Sequence, residues 1–305
     1  MTVPKIVIIT GPTASGKSTL ALDVAEQIGG RIVSADSGAV YRHLDIGTAK
    51  PTLSERRRVP HHLIDIFDPD QQCNAMAYAR AADTAIKEII AGGAIPIVAG
   101  GTGLYLKALV FGVFELPGSS GETAGMREAL SAVPTDLLRE ELEQVDAPSA
   151  RSIGPNDRVR IIRALEIYRL TGVPKSELAA RHEFAQKRYD ALTFGLSMER
   201  RVLYERIDRR VDEMIASGIV REVEGLLEMG YAPQSPGLST IGYKEMVDCL
   251  SGKIDLQEAV FLIKRKTRRY AKRQMTWFRK MEGVRWVDYP YDVNGIVRVI
   301  RSFVS

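Results

Sequence analysis

The segment GPTASGKS, Gly11 to Ser18, limits this chain more than any other feature of its sequence. It fits the pattern G-x-x-x-x-G-K-[ST] and lies between an apolar, β-branched run, Lys5 to Thr10, and a stretch with helical spacing, Lys17 to Ile28. Gly11 and Gly16 let the backbone curl until successive N–H groups point inward, with Pro12, Thr13, Ala14 and Ser15 completing the loop. The helix that follows adds its positive dipole end, Lys17 a point charge, and the Ser18 hydroxyl a ligand for Mg²⁺. Such a loop cradles two linked phosphates, and it requires strand, loop and helix in that order.

The surrounding pattern agrees. Arg31 to Asp36, His62 to Ile66 and Ala94 to Ala99 read as further short strands, and Ala75 to Ala91, closed by Gly92 and Gly93, reads as a helix. The expected class is α/β: a P-loop NTPase-like parallel sheet core flanked by helices. Near Leu116 the pattern changes. Pro117, Gly118, Ser119, Ser120 and Gly121 predict a loop, and helical spacing then dominates through Ala124 to Ala132, Thr135 to Val145 and Asp157 to Leu170, the last ending at Gly172 and Pro174. These residues predict an inserted all-helical domain over 116–190, with 1–115 and 191–305 forming the core. Ala191 to Leu196 reads as a strand returning to the sheet. Arg200 to Ser217, Val220 to Met229, Tyr243 to Leu250 and Leu256 to Met281 read as helices, and Val284 to Val287 as a last strand.

At 305 residues, 45% hydrophobic and 26% charged, the chain has the composition of a folded globular protein and not of a disordered one. Cys73 and Cys249 are too few and too isolated for a disulfide framework or a cysteine zinc site. The sequence lacks a signal-peptide layout at its start and any apolar run of transmembrane length, so a cytoplasmic protein without membrane association is expected. Net charge is only +4, yet Lys264 to Lys280, KRKTRRYAKRQMTWFRK, carries no acidic residue. A run of this kind suits either a solvated helix face or a polyanion surface.

A phosphate loop specifies phosphate and not ATP hydrolysis, which also needs an acidic metal or water ligand at the end of another strand. The strand ending at Ala99 is followed by Gly100, Gly101 and Thr102, with no carboxylate. Arg31 to Asp36 does end in one, and Asp36 in that position belongs to the crevice where open α/β sheets bind ligands, although an Asp after a strand also serves as a turn former or helix cap. GGTGLY, Gly100 to Tyr105, forms a second glycine-rich strand-to-helix turn at the same sheet edge and would bring the Thr102 hydroxyl there.

Seven segments occur in order: GPTASGKS, SADSGAVYRHLDIGTAKP (Ser34 to Pro51), HHLIDIFDP (His61 to Pro69), GGTGLYLKAL (Gly100 to Leu109), PNDRVRIIRALEIY (Pro155 to Tyr168), IGYKEM (Ile241 to Met246) and KRQMTWFR (Lys272 to Arg279). Together they resemble the tRNA dimethylallyltransferases, also called tRNA isopentenyltransferases, of bacterial type. The resemblance implies transfer of a dimethylallyl group from dimethylallyl diphosphate to N6 of adenosine 37 in tRNAs that read codons beginning with U. It implies Mg²⁺ as cofactor, the tRNA anticodon stem-loop as partner, and a monomer. Asp36 would accept the proton of the amine, a poor nucleophile because its lone pair is delocalised. Thr102 would sit beside the reacting amine and bridging oxygen. Lys17 and Arg210 would act on the diphosphate, with Arg206 a second candidate. RNA contacts would come from Asp36, Ser37, Gly38, Ala39, Thr102, Arg127, Val159, Arg160, Ile161, Ile162, Arg163, Thr240, Ile241, Gly242, Tyr243, Lys244 and Glu245. The basic run, with Tyr270, Trp277 and Phe278 interleaved, would line the same surface.

Three other readings start from the same residues. An adenylate isopentenyltransferase would alkylate a free mononucleotide, a P-loop kinase would transfer a γ-phosphoryl group, and an RNA-binding module would keep the loop for regulation. The helical insertion and the basic run argue for a macromolecular substrate, since a mononucleotide needs neither.

Overall fold

A computed structural model describes residues 3–112, 120–182 and 187–305. The chain separates into two compact units, one built from its beginning through Val110 together with Arg188–Ser305, the other from Phe111–Lys187.

The larger unit begins with β1 (Lys5–Thr10), α1 (Lys17–Ile28), β2 (Gly30–Ser34), α2 (Leu53–Arg58), β3 (His61–His62), α3 (Ala75–Ala91), β4 (Ile95–Gly100) and α4 (Gly103–Phe111). The smaller unit contains α5 (Ser120–Ala132), α6 (Thr135–Val145), α7 (Ala147–Ser152), α8 (Arg158–Thr171) and α9 (Lys175–His182). The larger unit then resumes with β5 (Asp190–Ser197), α10 (Arg200–Ala216), α11 (Ile219–Glu228), a 3₁₀ turn at Gly237–Ser239, α12 (Tyr243–Leu250), α13 (Leu256–Phe278), β6 (Val284–Asp288) and α14 (Val293–Val304).

Its strands form a six-stranded sheet in the order β3-β2-β4-β1-β5-β6, with every pairing parallel. Because side chains alternate along a strand, Val7 and Ile9 enter a core with Leu20, Val24, Phe194, Ile296 and Ile300, which seats α1 and α14 on one face. Ile6 and Ile8, equally buried, point to the other face, and α3 packs against β2 and β4. A second core gathers Val40, Leu44, Val211, Val223, Tyr243, Met246 and Ile263 beneath α10 to α13.

The expected strand His62 to Ile66 is reduced to the two-residue β3, because Leu63 and Asp65 both take positive φ values, 63° and 59°, which a strand does not tolerate. Of the predicted loop over 117–121, Pro117 to Ser119 lie outside the described residues, and Ser120 and Gly121 already belong to α5.

In the smaller unit Leu130, Leu138, Leu142, Ala150, Ile161 and Leu165 form a core of their own. Asp157 starts α8 by accepting from the Arg160 amide, and Gly172, at φ 69°, ends it.

Candidate functional site

The site is assembled where three strands of the larger unit end. From β1 the chain enters the phosphate loop, in which Ala14 and Gly16 take positive φ values of 62° and 92° and so turn the backbone inward. Ser15 Oγ is buried within the loop without a hydrogen-bond partner. Lys17 Nζ donates to the Pro12 carbonyl at 3.3 Å. Burial of this ammonium pulls its pKa down to about 8, against a raising influence from Asp36, with Arg210 a further lowering one.

From β2 the chain passes Ala35 to Asp36, two residues beyond the strand. Asp36 Oδ1 accepts from the amides of Gly38 at 2.9 Å and Ala39 at 3.3 Å. The turn-forming role and the functional role of this aspartate are therefore compatible, since the turn uses only one carboxylate oxygen and aims the group. From β4 the chain enters Gly100 to Thr102. The Thr102 amide donates to the Ala35 carbonyl at 3.1 Å, and Thr102 Oγ1 accepts from the Ser37 amide, so the two turns are laced together.

Lys17, Ser18, Ser34, Asp36, His61, Gly100 and Arg210 line one cavity of about 60 Å³. Asp36, Arg210, Thr13, Ser37, Thr240, Ile241, Tyr270 and Gln274 line a second of about 310 Å³. Asp36 and Arg210 thus stand between a small anion-sized space and a larger one with room for a base. Arg210 Nη1 donates to Thr13 Oγ1 at 3.2 Å and its Nη2 to the Thr48 carbonyl at 3.1 Å. Its desolvation lowers its pKa, and Asp36 acts in the opposite sense. Arg206 instead grips the outside of the loop, Nε donating to the Ala14 carbonyl at 2.9 Å, while Tyr291 donates to the Ser15 carbonyl at 2.7 Å. Arg206 is therefore a brace for the loop, and Arg210 is the arginine that faces the cavities.

Several residues here were not expected at the reacting centre. Tyr270, expected with the basic run on the RNA surface, faces Thr102, Ser37 and Asp36, with its phenol pKa raised mainly by burial and next by the Asp36 charge. His61 and Tyr291 join the site through contacts that no local spacing encodes.

For a divalent cation, hard oxygen donors are present in the Ser18 hydroxyl, exposed at the mouth of the small cavity, and the Asp36 carboxylate. Among the described residues there is no cluster of three His, Cys, Asp or Glu side chains able to hold a metal by themselves. This donor set fits a hard ion that keeps waters and arrives with phosphate oxygens, as Mg²⁺ does.

Residues predicted to touch RNA divide by burial. Ser37 and Gly38 line the larger cavity with Thr240 and Ile241, Ala39 lines the smaller, and Val159 is 79% exposed with Arg160 beside it. Arg163 and Arg127 are half-exposed and converge on Glu166, whose side chain is fully buried, at 2.7 and 2.9 Å. The structure corrects the reading at Ile161, Ile162, Tyr243 and Glu245. Helical periodicity turns Ile161 and Ile162 into the core of the smaller unit, and Tyr243 and Glu245 into the interior beneath α12, so none of these side chains presents a surface to RNA. Gly242 is buried as well, its amide donating to Glu245 Oε2 at 2.7 Å, whereas Lys244 is half-exposed.

The basic run forms the greater part of α13, and three of its cations are neutralised through space. Lys264 pairs with Asp212, Lys266 with Glu245 and Arg268 with Asp208. Arg269, Lys272, Arg273 and Lys280 are exposed.

A parallel sheet, a phosphate loop, and a carboxylate and an arginine shared by two cavities define a P-loop α/β enzyme built to move a group from an anionic leaving group to a second substrate. A family model described as IPP transferase matches residues 39–281, and one described as isopentenyl transferase matches residues 4–65. A tRNA dimethylallyltransferase of Pelobacter propionicus is 48% identical over 301 residues, covering 98% of this chain and 97% of the relative. The crystal structure of the tRNA isopentenylpyrophosphate transferase of Bacillus halodurans superposes with a TM-score of 0.71 at 39% identity, covering 98% of this chain and 95% of that one. A eukaryotic dimethylallyltransferase acting on tRNA gives a TM-score of 0.84 at 28% identity, covering 99% of this chain and 79% of that one. The chain belongs to the IPP transferase family, that of the tRNA dimethylallyltransferases. Among the described residues no helix is long and apolar enough to cross a membrane.

Proposed function

We propose that this protein transfers the dimethylallyl group of dimethylallyl diphosphate to N6 of adenosine 37 in tRNAs reading codons that begin with U, releasing diphosphate. The observation that carries the reading is the position of Asp36 and Arg210, shared between the cavity of the phosphate loop and the larger cavity beside it. N6 attacks the allylic carbon, the carbon–oxygen bond breaks with its electron pair leaving on the diphosphate, and the N6 proton passes to Asp36. Lys17, Arg210 and the amides of Gly11 to Ser18 stabilise the charge that grows on the leaving oxygens. Thr102, anchored by the Ser37 amide, orients the amine. Ser18 would hold Mg²⁺, which when bound supplies further charge neutralisation at the diphosphate.

Adenosine 37 is normally stacked beside the anticodon, so it enters the larger cavity flipped out of the loop. Ser37, Gly38, Thr240 and Ile241 border it, Ala39 and Lys244 add contacts nearby, and Val159, Arg160, Arg163 and Arg127 of the helical unit hold the anticodon stem. The exposed cations of α13 lie on the RNA side. The protein acts as a monomer in the cytoplasm.

The test is incubation of the protein and Mg²⁺ with radiolabelled dimethylallyl diphosphate and, separately, a UNN-reading tRNA, the same tRNA with guanosine at position 37, and AMP. Label confined to the first tRNA supports the reading. Label in AMP moves the protein to mononucleotide alkylation, and label in none rejects prenyl transfer.

A further inference from the structure

The buried face of α13 consists of Ala259, Ile263, Ala271, Gln274 and Phe278, and Gln274 alone among them is polar. Its side-chain oxygen accepts from the Thr13 amide at 2.8 Å, and its side-chain nitrogen donates to the Gly101 carbonyl at 2.9 Å. The partners leave no freedom in the amide orientation, because a backbone N–H needs an acceptor and a carbonyl needs a donor. One end of this amide therefore holds the phosphate loop and the other holds the turn that carries Thr102. The approach is close: a Cβ on Gly101 would lie 2.3 Å from the Gln274 nitrogen, so any larger residue there would push this amide off its partners. Thr13 also receives Arg210 on its hydroxyl, and Thr102 receives the Ser37 amide on its own. The tie thus runs from the arginine at the diphosphate, through Thr13 and Gln274, to the turn that faces the acceptor.

We infer that Gln274 is a positioning residue that fixes the diphosphate cradle relative to the Thr102–Asp36 side of the site, and so sets the distance across which the prenyl group moves. The inference rests on the transfer reaction proposed above. It differs from a packing role in what it predicts. A residue that only fills the core alters stability and both binding events together, whereas a residue that sets spacing alters the chemical step while each substrate still finds its own intact half-site.

The variant Gln274→Met keeps the volume and removes both hydrogen bonds. Single-turnover transfer to tRNA at saturating substrates is compared between wild type and Gln274→Met, alone and combined with Thr102→Ala, alongside the affinities for Mg²⁺-pyrophosphate and for tRNA. The expected result is a rate about 100-fold below wild type with both affinities within about threefold, and a further loss of less than about threefold when Gln274→Met is added to Thr102→Ala. A rate within about threefold of wild type overturns the inference. So does a parallel loss of rate and both affinities that is undiminished in the Thr102→Ala background, which marks Gln274 as structural. Wild-type protein that transfers no label to tRNA rejects the proposed reaction itself, and this inference with it.

Discussion

The Ser37 amide donates to Thr102 Oγ1 at 3.1 Å, joining a turn after β2 to a turn after β4. These strands are neighbours in the sheet, and the bond, together with the side-chain hydrogen bond between Thr102 and Tyr270, fixes the orientation of the Thr102 hydroxyl at the edge of the site. Thr102→Ala should lower single-turnover transfer by about 100-fold, while Thr102→Ser, which keeps the oxygen, should stay within about fivefold of wild type. Equal losses in the two variants would reject the orienting role.

Asp36 serves both as the anchor of its turn and as the proposed proton acceptor. Asp36→Asn retains an oxygen for the Gly38 and Ala39 amides and removes the basicity, so it isolates the second role. Turnover should fall by about 1,000-fold with tRNA affinity nearly unchanged in a filter-binding assay. A comparable loss of affinity would indicate that the carboxylate holds RNA instead.

Lys17 gives the site a pH dependence of definite sign. Its pKa is lowered from 10.5 to about 8, so in the ligand-free protein it is cationic below that value and increasingly neutral above it. Affinity for pyrophosphate, followed by calorimetry, should weaken as pH rises through about 8, and Lys17→Met should remove this component of the profile. Stability runs the other way. Below about pH 8 the lysine is protonated in both folded and unfolded chains and its desolvation is a full penalty. Between about 8 and 10.5 the unfolded chain binds more protons, so ligand-free stability contributed by this group rises with pH.

In the helical unit Glu166 is fully buried and is held by Arg127 and Arg163, each half-exposed. The carboxylate presents two guanidinium groups to the surface in fixed geometry. Glu166→Ala should lower the stability of the protein by only about 1 kcal/mol, because the two arginines it frees are half-exposed and are taken up by water, and it should weaken tRNA binding through their release. Thermal unfolding and filter binding read the two effects. Loss of stability with unchanged tRNA affinity would remove these arginines from the RNA surface.

The cations of α13 should divide into two groups on mutation. Arg269→Glu and Lys272→Glu should weaken tRNA binding and flatten its salt dependence by about one unit of log–log slope for each phosphate that is no longer neutralised. Lys264→Glu should act mainly on stability, since it places a carboxylate beside Asp212.

Much of this arrangement is legible along the chain, and what escapes has a common cause. β1, β2, β4 and β5 stand out because parallel strands buried on both faces are short β-branched runs, β6 is a short exposed run at the sheet edge, and the phosphate loop is a contiguous motif. β3 is shorter than its propensity suggests because propensity cannot reveal the positive φ of Leu63 and Asp65. Ile161 and Ile162 are within reach of helical periodicity, which sets them opposite Val159 and Arg160. Nothing local encodes the bond between Thr13 and Gln274, which are 261 positions apart, nor the neutralisation of Lys264, Lys266 and Arg268 by acids on α10 and α12.

The brace on the outside of the phosphate loop has a consequence for biosynthesis. Gly11 to Ser18 are made well before Arg206, Gln274 and Tyr291, which hold the backbone of Ala14, Thr13 and Ser15 from 192, 261 and 276 positions further along the chain. A nascent chain therefore carries the phosphate-binding motif without the clamps that shape it. The loop gains its full brace only once Tyr291 has been made, and a chain cut short of that residue holds the motif without one of its clamps.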